Sequence, residues 1–311
     1  MTGATPLISI VTPCFDRAGL IRDAIQSVLD QGYPNVEHIV VDGGSTDGTL
    51  EVLAEFPHLR VLSEPDENLY DALNKGIRMA RGEIVGHLNS DDVYAPGALH
   101  AVAEAFVSDP KAEVVSGGAT TFEDQPGGGQ RLLGEYPGRD FAALSLEHIT
   151  VGAPIINARF FKKALYDRVG LYDTGYDIAS DREFLLRVAI DGPRNVELDR
   201  WIYHYREHLG SLTMIFHSPV KARTVDQCLS IAARYAHDPS VAPQIRAACR
   251  RWHDKEAVDG VMNAIRTLRP GIGWPFVRRA LGENPFWPLV FAVIVFQKAV
   301  RHTLRFFRGG R

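Results

Sequence analysis

The chain has 311 residues, of which 45% are hydrophobic and 23% charged, an ordinary globular composition able to bury the core of one large or two modest domains. Three scattered cysteines, Cys14, Cys228 and Cys249, exclude a disulfide framework or a cysteine-built metal centre. The net charge of -4 is unevenly spread: residues 241–311 hold 13 Lys and Arg against four Asp and Glu, and the rest holds 21 against 34, so an acidic body carries a basic tail that charge alone assigns neither to nucleic acid nor to anionic lipid.

No cationic stretch with an apolar core precedes Leu7, so a reducing cytoplasm is the expected compartment. Leu7 to Val11 is predicted as a strand. Leu20, Ile21, Ala24, Ile25, Val28 and Leu29 then recur at helical spacing, with a stop at Gly32. Val36 to Val41 is a second strand, Leu50 to Phe56 a helix, Leu59 to Leu62 a third strand, Tyr70 to Arg81 a helix closed by Gly82, and Ile84 to Leu88 a fourth strand. This alternation predicts an α/β, Rossmann-like, mostly parallel sheet flanked by helices. A helix over Pro96 to Phe106 and a strand over Glu113 to Ser116 follow, then a flexible loop tip at Gln125 to Gly129. Phe160 to Tyr166 and Arg182 to Ile190 read as helices and Trp201 to Tyr205 as extended. From Pro219 the chain turns helical and Arg-rich. The expected organisation is therefore a domain over 1–218, in halves 1–116 and 117–218, and a helical extension over 219–311.

Chemistry-bearing residues gather where the strands end. The second strand closes in Asp42-Gly43-Gly44-Ser45-Thr46-Asp47, an acid followed by a glycine-rich turn, and the fourth in Asn89-Ser90-Asp91-Asp92. Ligands of open α/β sheets collect at such ends, and paired acids there suit a hard divalent cation carrying a phosphate. The bland alternatives are turn and cap roles for Asp42 and Asp47 and a solvated loop for the acid pair.

Five ordered motifs resemble the family 2 glycosyltransferases of the GT-A fold. Ile8 to Arg17 is similar to that family's first strand and loop, with Pro13 beside the nucleotide base. Asp42 matches the acid that recognises the base, and Gly43 replaces a second acid. Ser63 to Gly76, which includes Asp71, Asn74 and Lys75, looks like the variant of polysaccharide-building members. Leu88 to Asp92 matches the metal motif, with Asn89 in place of its first acid, so the resemblance puts cation binding on Asp91 and donor contacts on Asn89 and Ser90. Asp181 falls where the family carries its catalytic base, although Ser180 replaces a frequent neighbouring acid; a helix cap or an ion pair with Arg182 or Arg187 is the plain alternative. Tyr205 to Thr213 resembles a loop whose histidine approaches metal or diphosphate, which points to His208, with His204 as a competitor.

The resemblance implies an inverting, Mn²⁺- or Mg²⁺-dependent hexosyl- or N-acetylhexosaminyltransferase. Its expected donor is a nucleotide sugar, UDP before others, and its acceptor a glycan or lipid-linked glycan of polysaccharide or cell-envelope synthesis. A sugar nucleotidyltransferase is the enzymatic rival, but Thr12 to Gly19 lacks a basic phosphate loop. A catalytically silent binding module is favoured by Gly43, Asn89 and Ser180 and opposed by Asp42, Asp91 and Asp181. No nucleic-acid partner is expected, and a homo-oligomer stays open.

The resemblance does not reach the tail. Phe286 to Phe296 is an apolar run of 11 residues, too short for the ~20 that span a bilayer. Beyond it Lys298, Arg301, His302, Arg305 and Arg308 share a helical face opposite Val300, Leu304 and Phe307. A helix over 285–308 lying on the inner face of the cytoplasmic membrane, anchored by Phe286 and Trp287, is the expectation; a helix packed on protein is the alternative.

Overall fold

A computed structural model describes residues 5–152, 155–208 and 219–308. The chain divides into two compact units, Met1–Ser211 and Leu212–Arg311.

The first unit is a nine-stranded mixed sheet flanked by helices. Its elements are β1 (Ile8–Cys14), α1 (Ile21–Leu29), β2 (Val36–Asp42), α2 (Thr49–Ala54), β3 (Arg60–Ser63), α3 (Leu69–Met79), β4 (Ile84–His87), β5 (Val93–Tyr94), α4 (Ala98–Ser108), β6 (Val114–Asp124), β7 (Gln130–Tyr136), α5 (Gly138–Phe141), α6 (Leu146–Val151), β8 (Arg159–Lys162), α7 (Lys163–Val169), α8 (Ser180–Asp191) and β9 (Asn195–Arg206). The sheet order is β3-β2-β1-β4-β8-β6-β9-β5, with β7 paired to β6. β1, β2, β3 and β4 run parallel, and β8 enters antiparallel between β4 and β6. Strand order reverses between β1 and β4, and such a switch point opens the crevice in which α/β sheets bind ligands. α3 covers this region closely: a Cβ on Gly76 would stand 2.3 Å from Val11 Cγ1, so only glycine lets the helix lie this near β1.

Through β4 the predicted elements sit within a residue or two of the observed ones. Two later readings are corrected. Phe160 to Tyr166 is not one helix: Arg159–Lys162 is a strand, and the helix starts at Lys163. Phe160 and Phe161 are both fully buried in a strand paired on both sides, and continuous burial removes the alternation that marks a half-exposed strand. The strand predicted over Glu113 to Ser116 continues to Asp124 and hairpins through Gln125–Gly129 into β7, so β6 crosses residue 116 unbroken.

The second unit contains α9 (Pro219–His237), α10 (Pro243–Arg266), α11 (Pro270–Glu283) and α12 (Trp287–Arg308). Val225, Leu229, Ala257, Val258, Phe276, Ala280 and Trp287 form its core. Trp287 is therefore no membrane anchor: its ring lies 5.3 Å from that of Phe291 and its Nε1 donates to the Asp254 carbonyl at 3.2 Å. Lys298, assigned to the basic stripe, is engaged by Asp259. The side chains of Arg301, His302, Arg305 and Arg308 lie outside the described residues. The exposed apolar residues are Phe286, Leu289, Val293 and Phe296, spaced to share one side of α12. Among the described residues no single helix is long and apolar enough to cross a membrane; α11 and α12 together have the composition of a broken span, bent by 120°.

Candidate active site

The ends of β1 and β2 are locked to each other. Thr46 N–H donates to Asp16 Oδ1 (2.9 Å), Asp16 N–H to Ser45 Oγ (2.8 Å) and Ala18 N–H to Asp47 Oδ2 (3.0 Å). Asp42 organises this lock from beneath. Its Oδ2 accepts from Gly44 N–H (3.1 Å), Ser45 N–H (3.1 Å) and Ser63 O–H (2.7 Å), its Oδ1 from Ser45 O–H, and it is fully buried. In this conformation Asp42 shapes the turn and presents no open carboxylate to a base. Pro13 is buried in register with Val41, while the Phe15 ring stands exposed at the mouth.

The segment from β3 into α3 departs further from expectation. Asn68 caps α3 by accepting from Tyr70 N–H (3.0 Å) and Asp71 N–H (3.2 Å). Lys75 is enclosed by Asp66 (2.6 Å), Glu64 (3.0 Å) and Asp71 (3.2 Å) and also donates to the Pro65 carbonyl (2.8 Å). Asn74 is buried, giving Nδ2–H to the Tyr172 carbonyl and taking Tyr172 N–H on Oδ1, both at 2.9 Å. Asp71, Asn74 and Lys75, expected at the donor, are thus committed within the protein: a buried amide takes the nearest backbone pair, and an ammonium among three carboxylates takes those. Their work is positional. Asn68 Nδ2–H also reaches the Thr174 carbonyl (2.9 Å) and Tyr70 O–H the Ile178 carbonyl (2.7 Å), so α3 straps down the segment leading to α8.

At the end of β4 the two acids separate in role. Asp92 is buried; its Oδ2 accepts from Tyr203 O–H (2.7 Å) and Asn89 Nδ2–H (3.0 Å), and its Oδ1 from Arg206 N–H (2.8 Å). Burial first, and the Asp91 charge beside it second, push Asp92 well above the ordinary carboxylate range. Asp91 faces the crevice, its Oδ2 3.0 Å from His208 Nε2. His204 turns elsewhere, its Nδ1 2.7 Å from Thr120 Oγ1, so His208 is the imidazole that meets the acid. Asn89 spends its amide on Asp92, and Ser90 is buried against Cys14. Sequence reading missed Tyr203, whose hydroxyl also takes Asn89 N–H (3.1 Å) and Asn157 Nδ2–H (3.3 Å); nothing in its local sequence marks it, because the contacts span more than 40 residues.

Among the described residues no group of three or more His, Cys, Asp and Glu is placed to hold a metal. A carboxylate oxygen and an imidazole nitrogen in contact at a strand end nevertheless fit a cation that takes its remaining ligands from a diphosphate and water.

Asp181 lies in the first turn of α8, partly buried, with Oδ1 accepting from Arg182 N–H (2.7 Å). It is neither the cap, which is Ala179, nor the partner of Arg187, which holds Glu183 at 2.7 Å; Arg182 reaches the Ile149 (3.0 Å) and Thr150 (2.8 Å) carbonyls. Burial raises the Asp181 pKa against the opposing Arg182 and a hydrogen bond from Tyr70. The charges of Asp92 and Asp181 both act on the buried Tyr205 phenol, which ties the acids of β4 and α8 to one neighbourhood.

Residues 9–170 match the model of glycosyl transferase family 2. An uncharacterised glycosyltransferase of Mycobacterium tuberculosis is 34% identical over 195 residues, 61% of this chain and 71% of that protein. A putative teichuronic acid biosynthesis glycosyltransferase of Bacillus subtilis is 36% identical over 104 residues, 32% of this chain and 41% of its own. In structure the chain is similar to residues 1–349 of Staphylococcus aureus TarS, also solved with UDP-GlcNAc: TM-score 0.66, 18% identity, 90% of this chain and 80% of that one, though it spans only 43% of a longer TarS chain. It is also similar to a Pyrobaculum calidifontis mannosyltransferase solved with GDP-Man and Mn²⁺: TM-score 0.56, 19% identity, 94% of this chain and 87% of the other. The family model spans more than half of the sequence and the fold is that of GT-A enzymes; the chain belongs to glycosyl transferase family 2 and is a glycosyltransferase.

Proposed function

We propose that the protein transfers a sugar, with inversion, from a UDP-sugar to a glycan or lipid-linked glycan acceptor in polysaccharide or cell-envelope synthesis. The observation that carries this reading is the meeting of Asp91 and His208 at the end of β4, beside the switch point, with Asp181 held on α8. A relative named for teichuronic acid biosynthesis and a neighbour solved with UDP-GlcNAc support the donor and the process. Asp91 and His208 would hold Mn²⁺ or Mg²⁺, which supplies Lewis-acid stabilisation of charge on the leaving diphosphate. Asp181 takes the proton of the acceptor hydroxyl; desolvation makes its carboxylate a stronger base than a solvated one. A single displacement from the face opposite the leaving group inverts the anomeric centre.

The second unit supports a place on the cytoplasmic face of an anionic membrane. Phe286, Leu289, Val293 and Phe296 are exposed on one side of α12, in a tail rich in Lys and Arg. Each contributes about 1.5–3 kcal/mol at most when buried in lipid.

The test is nucleotide release from a panel of UDP-, GDP- and CDP-sugars, with and without Mn²⁺, scored with a lipid-linked acceptor present. Release from a UDP-sugar that requires the cation and rises with acceptor is expected. Nucleotide binding without turnover under all conditions would leave a silent binding module.

A further inference from the structure

Gly43 sits in a slot between two side chains of the donor crevice. A Cβ built there would stand 3.2 Å from Asp66 Oδ2 and 3.2 Å from Phe15 Cδ2, so Asp66 and the exposed Phe15 ring lie on either side of a position stripped of its own side chain. The neighbouring Asp42 cannot serve a ligand here, with its carboxylate fully buried and spent on Gly44, Ser45 and Ser63. Asp66 is different. Its side chain is only 9% exposed and Oδ1 takes Lys75 at 2.6 Å, but Oδ2, the oxygen turned to Gly43, has no hydrogen-bond partner among the described residues. A largely desolvated carboxylate oxygen left without a donor calls for one from a ligand. Burial also raises the Asp66 pKa, with Lys75 opposing, as expected of a carboxylate short of one donor.

Building on the nucleotide-sugar reading, we infer that Asp66 Oδ2 selects the donor's base, accepting the ring N3–H of a uracil that lies against Phe15 over Gly43. Cytosine presents a lone pair at the same ring position, so the carboxylate rejects it. Gly43 is part of the device, because any side chain there must displace the ring or the acid. Lys75, which holds Oδ1, orients the carboxylate and is a positioning residue.

The test is calorimetry of the full chain with Mn²⁺ and three ligands: UDP, N3-methyl-UDP and CDP. The wild type is expected to bind UDP roughly 10–100-fold tighter than either other ligand, the range of a hydrogen bond to a charged acceptor. In Asp66→Asn, Lys75 retains the carbonyl oxygen and the amide NH₂ faces the base, so preference for UDP over CDP should vanish or reverse. Asp66→Ala should bring UDP and N3-methyl-UDP within about threefold of each other, the single hydrogen bond being gone. Phe15→Ala should weaken all three ligands together and leave their ratios unchanged. Asp71→Asn, which loosens the Lys75 cluster without touching Asp66, should also leave the ratios as in wild type. If Asp66→Asn keeps the wild-type ratios, if the wild type tolerates N3-methylation, or if Asp71→Asn reproduces the Asp66→Asn effect, the inference is overturned while the nucleotide-sugar reading stands. If the wild type binds no nucleoside diphosphate at all, both fall.

Discussion

At the scale of single residues, the adjacent carboxylates of β4 divide their work by solvation. Asp92 is walled in by Tyr203, Asn89 and the Arg206 amide, while Asp91 is left to His208 and the crevice. Asp91→Asn should therefore abolish cation-stimulated nucleotide release with little change in thermal stability. Tyr203→Phe should instead cost about 1–3 kcal/mol in denaturant unfolding, because it removes the donor to a buried carboxylate and leaves two buried N–H groups without an acceptor. For Asp181, Asp181→Asn should lower kcat by about 10² to 10⁴ with the donor Kd nearly unchanged. The sign of its pH dependence follows from its surroundings. A base works deprotonated, and burial raises this carboxyl, so turnover should fall with acidification at a higher pH than an ordinary aspartate would give. The Tyr70 hydrogen bond favours the charged form, so Tyr70→Phe should move the acid limb of kcat further up the pH axis. A limb unmoved by Tyr70→Phe and by Asp181→Asn would place the base on another group.

Among the elements, α3 and α12 changed most in meaning. The residues of α3 expected at the donor instead strap down the segment that carries Asp181, through the paired Asn74–Tyr172 hydrogen bonds and Tyr70 to Ile178. Asn74→Ala should cost about 1–3 kcal/mol of stability for the two backbone groups it leaves unpaired in the interior, and lower kcat more than donor affinity. On α12 the apolar residues divide between two faces, and substitutions separate them. Leu289→Glu with Phe296→Glu should release the protein from anionic liposomes in flotation while the melting temperature holds, since both side chains are exposed. Trp287→Ala should lower stability by about 3–5 kcal/mol, since that ring fills the core of the helical unit. A protein that fails to float even as wild type would mark the exposed stripe as a protein contact, and a second copy of the chain would be sought by sedimentation.

For the whole molecule, each compact unit has a hydrophobic core of its own. A fragment of residues 1–211 keeps the sheet, Asp91, His208 and Asp181. It should bind nucleotide with the affinity of the full chain, and it should not float with liposomes. Loss of cooperative unfolding in that fragment would show that the sheet needs the helical unit to fold.

The sequence by itself determined the alternation from β1 through β4 and the gathering of acids at strand ends, because both are local: period and punctuation are written within a dozen residues. It also determined that Asp91, not its lost neighbour at Asn89, would face the crevice. Only the tertiary structure decided which polar groups were already spoken for. Asn74 met Tyr172 across 98 residues, Asp92 met Tyr203 across 111, and His208 rather than His204 met Asp91. Whether a carboxylate or an amide is open to a ligand depends on the donors that folding brings to it, and those arrive from distant strands and helices. The same holds for β8 and for Trp287, where burial on all sides erases the periodic contrast between an inner and an outer face.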